Sequence, residues 1–242
     1  MSRPASFTSD LPLTYDHKRH EGRRKVLRWL IYQVGYRLLA RFGRAENIEY
    51  LPANGSAIVI FNHIAFIDPV VVLSVLPRNA VPLARHDVFG IPGWGIFPRL
   101  WDAIPVRREE VDREALRMAL AVLEAGEVLL VAPEGTRHPS LQRAKAGLAY
   151  LALKSGAPIV PVAVEGTDGY PALIFGRNDL APVTIRVGRP FQYKEMSGRW
   201  DRDRLRTMTD EAMYVLAGML SEERRGVYSD LSRATTDTIE ML

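Results

Sequence analysis

Short apolar runs alternate with amphipathic segments along most of the chain. Runs rich in β-branched residues predict strands at 57–61, 81–84, 103–106, 128–132, 158–164 and 183–187. Apolar residues at helical spacing predict helices at 21–43, 111–125, 144–154 and about 201–220, with a shorter apolar helix within 90–98. Another helix is predicted to begin with Asp68 as its N-cap and Pro69 at its first position. This alternation indicates an α/β fold, in which helices flank a mixed or largely parallel sheet.

The pattern divides the chain into three segments. Residues 1–45 are predicted to form an irregular arm and an amphipathic helix, residues 46–220 a single α/β domain, and residues 221–242 a polar tail with no predicted element. No apolar run reaches the length of a membrane span, and the first residues lack the apolar core of a signal peptide. We therefore expect an intracellular protein that does not cross the bilayer.

Composition and charge narrow the classes of function. The chain of 242 residues contains no cysteine, which excludes disulfides, cysteine–zinc sites and thiol catalysis. The net charge is +4, yet nine basic residues against one acidic residue give the segment from His17 to Arg44 a charge of +8. A basic amphipathic helix suits either an anionic membrane surface or packing on its own domain with a solvated face. No groove-reading motif accompanies the charge, so we expect no nucleic-acid partner.

A histidine and an aspartate lie on either side of the turn that follows the strand at 57–61. His63 would leave the strand, and Asp68 would open the next helix, at the edge where α/β sheets build their sites. A carboxylate that orients an imidazole makes a base for a hydroxyl group. The pair lacks a partner serine, so the nucleophile would arrive with the substrate. The alternative is that both residues have only structural roles at the ends of their elements.

A second group of polar residues lies at or just after other strand ends. It consists of Arg107, Arg108, Glu134, Gly135, Thr136, Arg137 and Lys145. Arginine forks match phosphate oxygens, and a glycine lets backbone N–H groups approach an anion closely. This group therefore indicates a phosphate site beside the base. The alternatives are that each arginine is a solvated surface charge and that Glu134 forms a salt bridge with Arg137 or Arg108.

These residues resemble the motifs of the lysophospholipid acyltransferase family. Asn62, His63 and Asp68 match its Asn-His-x4-Asp motif, and residues 133–137 match its Pro-Glu-Gly-Thr-Arg motif. Residues 104–108 correspond to its arginine motif, and residues 158–162 to its proline-containing strand. The four motifs occur in the family's order over about residues 50–190. The resemblance implies a glycerolphosphate acyltransferase-like fold for an acyltransferase domain at 46–220.

The resemblance also implies roles for individual residues. His63 would deprotonate the acceptor's hydroxyl group, and Asp68 would orient His63. The acceptor's phosphate end would be bound by Arg108, Glu134, Gly135 and Arg137, with Arg107, Thr136 and Lys145 beside them and Pro161 shaping the pocket. The hydroxyl group would then attack the thioester of acyl-CoA or acyl-carrier protein, without an acyl-enzyme, a metal ion or a cofactor.

The resemblance predicts phosphatidic acid synthesis from 1-acyl-glycerol-3-phosphate by a peripheral protein on the cytoplasmic side of the cell membrane. Three alternatives remain: another lysolipid acceptor, a thioester or ester hydrolase, and a non-catalytic protein that binds anionic lipids. The absence of Gly-x-Ser-x-Gly disfavours an esterase with a nucleophile elbow. The chain departs from the usual family motifs at Ala65, Ala132, Arg107 and His138, none of which belongs to the His–Asp pair.

Overall fold

A computed structural model describes residues 21–30, 33, 40–92, 95–107, 112–171, 180–194 and 200–242. The strands in these ranges are β1 Phe42–Glu46, β2 Ala57–Phe61, β3 Ala80–Arg85, β4 Ile104–Val106, β5 Val128–Val131, β6 Ile159–Glu165, β7 Val183–Val187, β8 Phe191–Tyr193 and β9 Ile239–Met241. The helices are α1 Glu21–Leu30, α2 Asp68–Val75, α3 Ile96–Leu100, α4 Arg113–Glu124, α5 Gly147–Ser155 and α6 Arg202–Ala217.

The strands form one mixed sheet in the order β1-β7-β6-β2-β5-β3-β4, and β8 and β9 extend it beside β6. Five neighbouring strands, β6, β2, β5, β3 and β4, run parallel, whereas β7 and β8 run antiparallel to β6. The predicted α/β class with a largely parallel sheet is therefore confirmed. Because the five strands share a direction, their carboxyl ends meet at one edge, with β2 between β6 and β5.

The central strands are covered on both faces, which explains their continuous apolar sequences. Val59 and Phe61 of β2 face a core that includes residues of α2, and Leu27 of α1 packs against it. Ile58 and Ile60 face the opposite core, to which α4 and α5 contribute most of the helical residues. The period-two alternation along β2 thus separates two apolar layers.

The predicted helix at 21–43 is wrong at its carboxyl end. The described part of α1 is Glu21–Leu30, and Phe42, predicted to be helical, instead begins β1, which pairs in parallel with β7. Residues 31, 32 and 34–39 of the prediction lie outside the described residues. The local pattern did not predict β1 because its pairing partner lies about 140 residues further along the chain. No local signal indicates a pairing over that distance.

One arginine of α1 does not lie on a solvated face. Arg24 is buried, with 1% of its surface exposed. Its Nε donates to the carbonyl of Trp101 over 3.3 Å, and its Nη2 lies 3.7 Å from Asp102 Oδ2. α1 therefore packs on the domain, while Val26 and Trp29 remain exposed. None of the described helices is both long and apolar enough to span a bilayer.

The carboxyl-terminal segment, for which the pattern predicted no element, folds against the domain. It forms single turns at Glu222–Arg224, Gly226–Tyr228 and Leu231–Arg233, followed by β9. β9 pairs with β8 over three residues, of which Ile239 is buried. Turns this short carry no periodicity, so their positions depend on contacts with the rest of the molecule.

Candidate active site

His63 and Asp68 meet at the carboxyl edge of the sheet. His63 Nδ1 lies 3.0 Å from Asp68 Oδ2; the aspartate side chain is fully buried, and the histidine side chain is 18% exposed. The same oxygen accepts hydrogen bonds from the N–H groups of Ile64 and Ala65 over 2.6 and 2.7 Å. An ionised carboxylate only accepts hydrogen bonds, so Nδ1 carries the proton and Nε2 keeps its lone pair. The pair has the geometry of an oriented base.

Asp68 differs in position from the prediction by one residue. Ile67 is the N-cap of α2, which makes Asp68 the first helical residue and Pro69 the second. The carboxylate of Asp68 points back into the turn and binds the amides of Ile64 and Ala65, instead of capping amides further along the helix. The turn is therefore closed by the same side chain that holds His63.

Asn62 is a supporting residue to which the sequence analysis assigned no role. Its buried amide donates to the carbonyl of Val164 and accepts from the N–H of Val164, both over 2.8 Å. The side chain thereby extends the ladder between β2 and β6 after the main chain of β2 has turned away. This releases His63 from the sheet, with its ring edge-to-face with Phe61 at 5.7 Å. A polar residue directly after a fully buried strand is the signal that could have indicated this role.

Glu134 joins the turn after β5 to the histidine. Its Oε1 accepts from the N–H of His63 over 3.2 Å, and its Oε2 accepts from the N–H of Gln142 over 2.7 Å. The turn is tight, since Gly135 N donates to Ala132 O over 2.9 Å and Gly135 has a φ of 68°. In this position the carboxylate supports the main chain of the site instead of facing an anion.

Burial raises the pKa of Glu134 from 4.5 to about 7. The loss of solvation is the main cause, and the nearby charge of Asp68 adds to it. The two backbone N–H groups oppose this shift because they stabilise the ionised form. Glu134 is thus a buried carboxyl group that titrates near neutral pH.

Arg137 lies above the turn between His63 and Asp68. Its guanidinium carbon is 5.6 Å from the centroid of the Phe66 ring, which lies within that turn. The next residue, His138, donates its N–H to the carbonyl of His63 over 2.9 Å. An exposed cation is therefore held beside the oriented base.

The other predicted site residues lie in different parts of the fold relative to His63 and Asp68. Arg107 is exposed at the end of β4, three strand spacings or about 14 Å from β2. Lys145 is exposed and binds the carbonyl of Pro133 through its N–H over 3.1 Å, while Thr136 is half-buried in the same loop. Pro161 lies within the sheet opposite Ile60 and not at the strand end.

Arg108 lies outside the described residues. Among the residues that are described, no group of three or more histidine, aspartate and glutamate side chains is placed to hold a metal ion.

Comparison with known proteins decides the family. The family model described as Acyltransferase matches residues 42–165, which is half of the chain and includes all the candidate residues named above. This chain belongs to the acyltransferase family. The resemblance in the motifs is therefore confirmed, and the protein is an enzyme of the acyltransferase class.

Individual relatives agree with this assignment. The chain is 26% identical over 168 residues to the 1-acyl-sn-glycerol-3-phosphate acyltransferase of Bacillus subtilis, covering 69% of this acyltransferase and 82% of the relative. It is 30% identical over 126 residues to the protein of that name from Borreliella burgdorferi, covering half of each. The coconut relative is 26% identical, with 54% of its length covered. The chain thus spans only about half of some relatives.

A solved structure supports the fold. The crystal structure of the 1-acyl-sn-glycerophosphate (LPA) acyltransferase PlsC from Thermotoga maritima matches with a TM-score of 0.58 and 26% identity. The match covers 81% of this acyltransferase and 79% of the other chain. The similarity therefore extends well beyond the segment that carries the motifs.

Proposed function

We propose that this acyltransferase transfers a fatty acyl group from acyl-CoA or acyl-carrier protein to 1-acyl-glycerol-3-phosphate, giving phosphatidic acid. The observation that carries the proposal is the bond between His63 Nδ1 and Asp68 Oδ2, which leaves Nε2 as a base at an accessible sheet edge. The names of the relatives support the acceptor. An oriented base without a serine suits attack by the substrate's own hydroxyl group.

The reaction is a direct transfer between two bound substrates. His63 Nε2 takes the proton of the acceptor's hydroxyl group, and the hydroxyl oxygen attacks the carbonyl carbon of the thioester. The tetrahedral intermediate then collapses, the carbon–sulfur bond breaks, and the departing thiolate takes the proton back from the imidazolium. Asp68 stabilises the imidazolium between the two proton transfers. Histidine ends the cycle neutral, in the tautomer in which it began.

The acceptor's chemistry favours Arg137 as the cation that binds its phosphate. The reacting oxygen and the phosphorus are four bonds apart, which places them within about 5 Å of each other. Arg137 lies over the turn that carries His63, whereas Arg107 ends a strand about 14 Å away. We therefore assign the phosphate to Arg137. The role of Arg108 stays a prediction from its motif.

The first experiment measures acyl transfer from palmitoyl-CoA and from palmitoyl-acyl-carrier protein to lysophosphatidic acid. We expect the wild type to form phosphatidic acid, and we expect His63→Ala and Asp68→Asn to lose at least about 100-fold in kcat. His86→Ala is the matched control, since His86 is an exposed histidine after β3. The two donors distinguish CoA from carrier-protein dependence.

Other products would point to other functions. Free fatty acid in place of phosphatidic acid would indicate a thioester hydrolase. Acylation of a different lysolipid from a panel would keep the reaction and change the acceptor. No thioester consumption with either donor would leave a lipid-binding protein, in which His63→Ala does not affect binding.

We further propose that the enzyme works at an anionic membrane surface on the cytoplasmic side. Two elements expose large apolar side chains: α1 exposes Val26 and Trp29 to 58% and 60%, and α3 exposes Ile96 and Phe97 to 53% and 47%. Asp102, two residues after the end of α3, binds Arg23 of α1 and holds the two elements together. Aromatic and aliphatic residues beside arginines are typical of membrane-surface elements.

Flotation with anionic liposomes tests the membrane surface. We expect Trp29→Ser combined with Phe97→Ser to reduce the bound fraction several-fold at low salt, because each change removes apolar area from the interface. Met241→Ser is the control, since Met241 is 41% exposed on β9, near the other end of the sheet. Equal flotation of the double variant and the wild type would refute these two elements as the contact.

A further inference from the structure

We infer that residues 224–228 form a clamp that positions the loop of residues 132–146, and that Arg224 is a positioning residue for acceptor binding. We call these two segments the carboxyl-terminal clamp and the β5 loop. The inference rests on the proposed function through one point, the assignment of Arg137 to the acceptor's phosphate.

The clamp and the β5 loop are joined by their main chains. Leu141 donates its N–H to the carbonyl of Arg224 over 2.9 Å, and Val227 donates its N–H to the carbonyl of Leu141 over 3.1 Å. Gly226 has a φ of 54°, and a Cβ atom there would lie 2.1 Å from the carbonyl oxygen of Leu141. The approach is close enough that only glycine fits without a shift of the main chain.

The guanidinium of Arg224 joins two loops of the site edge. Its Nη1 donates to the carbonyl of Pro139 over 2.8 Å, and its Nη2 donates to Asp168 Oδ2 over 2.5 Å. Pro139 belongs to the β5 loop, and Asp168 follows β6. Because β5 and β6 are the two neighbours of β2, Arg224 connects the loops on either side of the strand that leads to His63.

Tyr228 anchors the clamp to α6. Its hydroxyl accepts from the N–H of Ala144 over 3.2 Å and donates to Asp210 Oδ1 over 2.9 Å. The side chain of Leu141 is buried in the same apolar cluster as Tyr228 and Leu216 of α6. The outer side of the β5 loop is thus attached to a helix of the domain.

The other side of the β5 loop contacts the His63–Asp68 pair. His138 donates its N–H to the carbonyl of His63, and Gln142 donates its N–H to Glu134. Arg137 lies between the Glu134 turn and Pro139, two residues before the carbonyl that Arg224 binds. A displacement at Pro139 therefore moves the cation that binds the acceptor's phosphate, so we expect the acceptor to bind more weakly.

Steady-state kinetics of Arg224→Ala test the positioning role. We expect the KM for the lysolipid acceptor to rise about tenfold, with the KM for the acyl donor unchanged and kcat altered less than about twofold. Arg224→Lys should recover part of the loss, because one ammonium group can bind Pro139 or Asp168 but not both in the same geometry. Arg233→Ala, an exposed arginine of the same segment, is the matched control and should match the wild type.

Gly226→Ala gives a second test that leaves the Arg224 side chain in place. Its Cβ atom should push the clamp away from Leu141, raise the acceptor KM as Arg224→Ala does, and speed hydrogen exchange at the Leu141 amide. An unchanged acceptor KM in both variants would overturn the inference. Equal rises in both KM values with a lowered Tm would also overturn it, since they would indicate a general loss of structure.

The acceptor in these assays is whichever lysolipid the wild type acylates, so failure of lysophosphatidic acid alone does not affect the result. If the wild type transfers no acyl group to any lysolipid, the proposed function fails and the positioning role fails with it. Exchange at the Leu141 amide then still decides whether the clamp holds the loop. Unchanged hydrogen exchange at the Leu141 amide in both Arg224→Ala and Gly226→Ala would show that residues 224–228 do not hold the β5 loop.

Discussion

At the scale of single residues, one oxygen atom organises the base. Asp68 Oδ2 accepts from the imidazole and from two backbone amides, while Asp68 Oδ1 is buried without a hydrogen bond. Position 65 contributes only main-chain groups to this turn, its N–H to Asp68 Oδ2 and its carbonyl to the N–H of Asp68, which explains why alanine is compatible with it where the family often has serine. The turn and the tautomer of His63 therefore depend on the same side chain.

Glu134 gives the protein a stability that depends on pH. The folded carboxyl group keeps its proton up to about pH 7, whereas the unfolded one ionises near 4.5, so the folded state binds more protons between these values. We therefore expect the contribution of Glu134 to the free energy of unfolding to fall by about 3 kcal/mol as the pH rises through this window.

Urea unfolding at pH 5 and pH 8 of the wild type and Glu134→Gln measures this effect. We expect the wild type to lose stability relative to the variant as the pH rises, because glutamine does not titrate. The variant should also be less stable at both pH values, since its amide nitrogen cannot accept a hydrogen bond from His63 or Gln142. A wild type that gains stability relative to the variant at pH 8 would contradict the raised pKa.

At the scale of elements, the amino-terminal segment is part of the fold. Arg28 of α1 donates to the carbonyl of Leu76 over 2.8 Å, and β1 forms four residue pairs with β7. Removing residues 1–45 would expose the outer edge of β7 and the apolar surface beneath Leu27. We expect this deletion to lower Tm by more than about 10 °C or to give insoluble protein, as judged by thermal unfolding.

Because residues 1–45 contribute to the fold, point substitutions test the membrane surface more cleanly than a truncation. Loss of liposome binding by such a truncation would follow from unfolding alone. Trp29→Ser removes one exposed side chain and leaves the contacts of Arg24 and Arg28 in place, so its Tm should stay within about 2 °C of the wild type. A truncated protein with an unchanged Tm would show that α1 and β1 contribute nothing to stability.

At the scale of the whole molecule, the carboxyl-terminal segment returns to the sheet and adds β9 to it. The buried carboxylate of Glu211 on α6 accepts from the N–H groups of Asp237 and Thr238, both over 3.0 Å, and from the hydroxyl group of Thr235 over 2.6 Å. These bonds hold the segment that leads into β9. α6 thus anchors the carboxyl-terminal segment at this end and at Tyr228.

Glu211→Ala tests this attachment. We expect the free energy of unfolding to fall by about 2–4 kcal/mol, since the variant leaves several partly buried donors without an acceptor. Glu240→Ala is the control, because Glu240 is an exposed residue whose side chain accepts a hydrogen bond from Gln192 on the neighbouring strand. Urea unfolding gives both values, and equal stabilities of the two variants would refute the anchoring role.

The central elements could be predicted because their signals are local. β2 has its predicted bounds, and β5 and β6 differ from their predictions by no more than one residue at either end, since each is a short apolar run bounded by turn residues. The His63–Asp68 pair was also predictable, because a strand, a turn and a helix bring together residues only five positions apart. By contrast, β1 and β9 were not predicted, because each forms by pairing with a strand far away in the sequence and no local pattern indicates that pairing.

The sequence by itself determined the α/β class, the family motifs and the pairing of an imidazole with a carboxylate, because each depends on neighbouring residues. Only the tertiary structure decided which charged groups accompany the base. Strand order brought Glu134 and Arg137 beside His63 and left Arg107 three strands away. It also brought residues 224–228 against the β5 loop, some 85 positions earlier in the chain. Such contacts join residues far apart in sequence, so no local pattern records them.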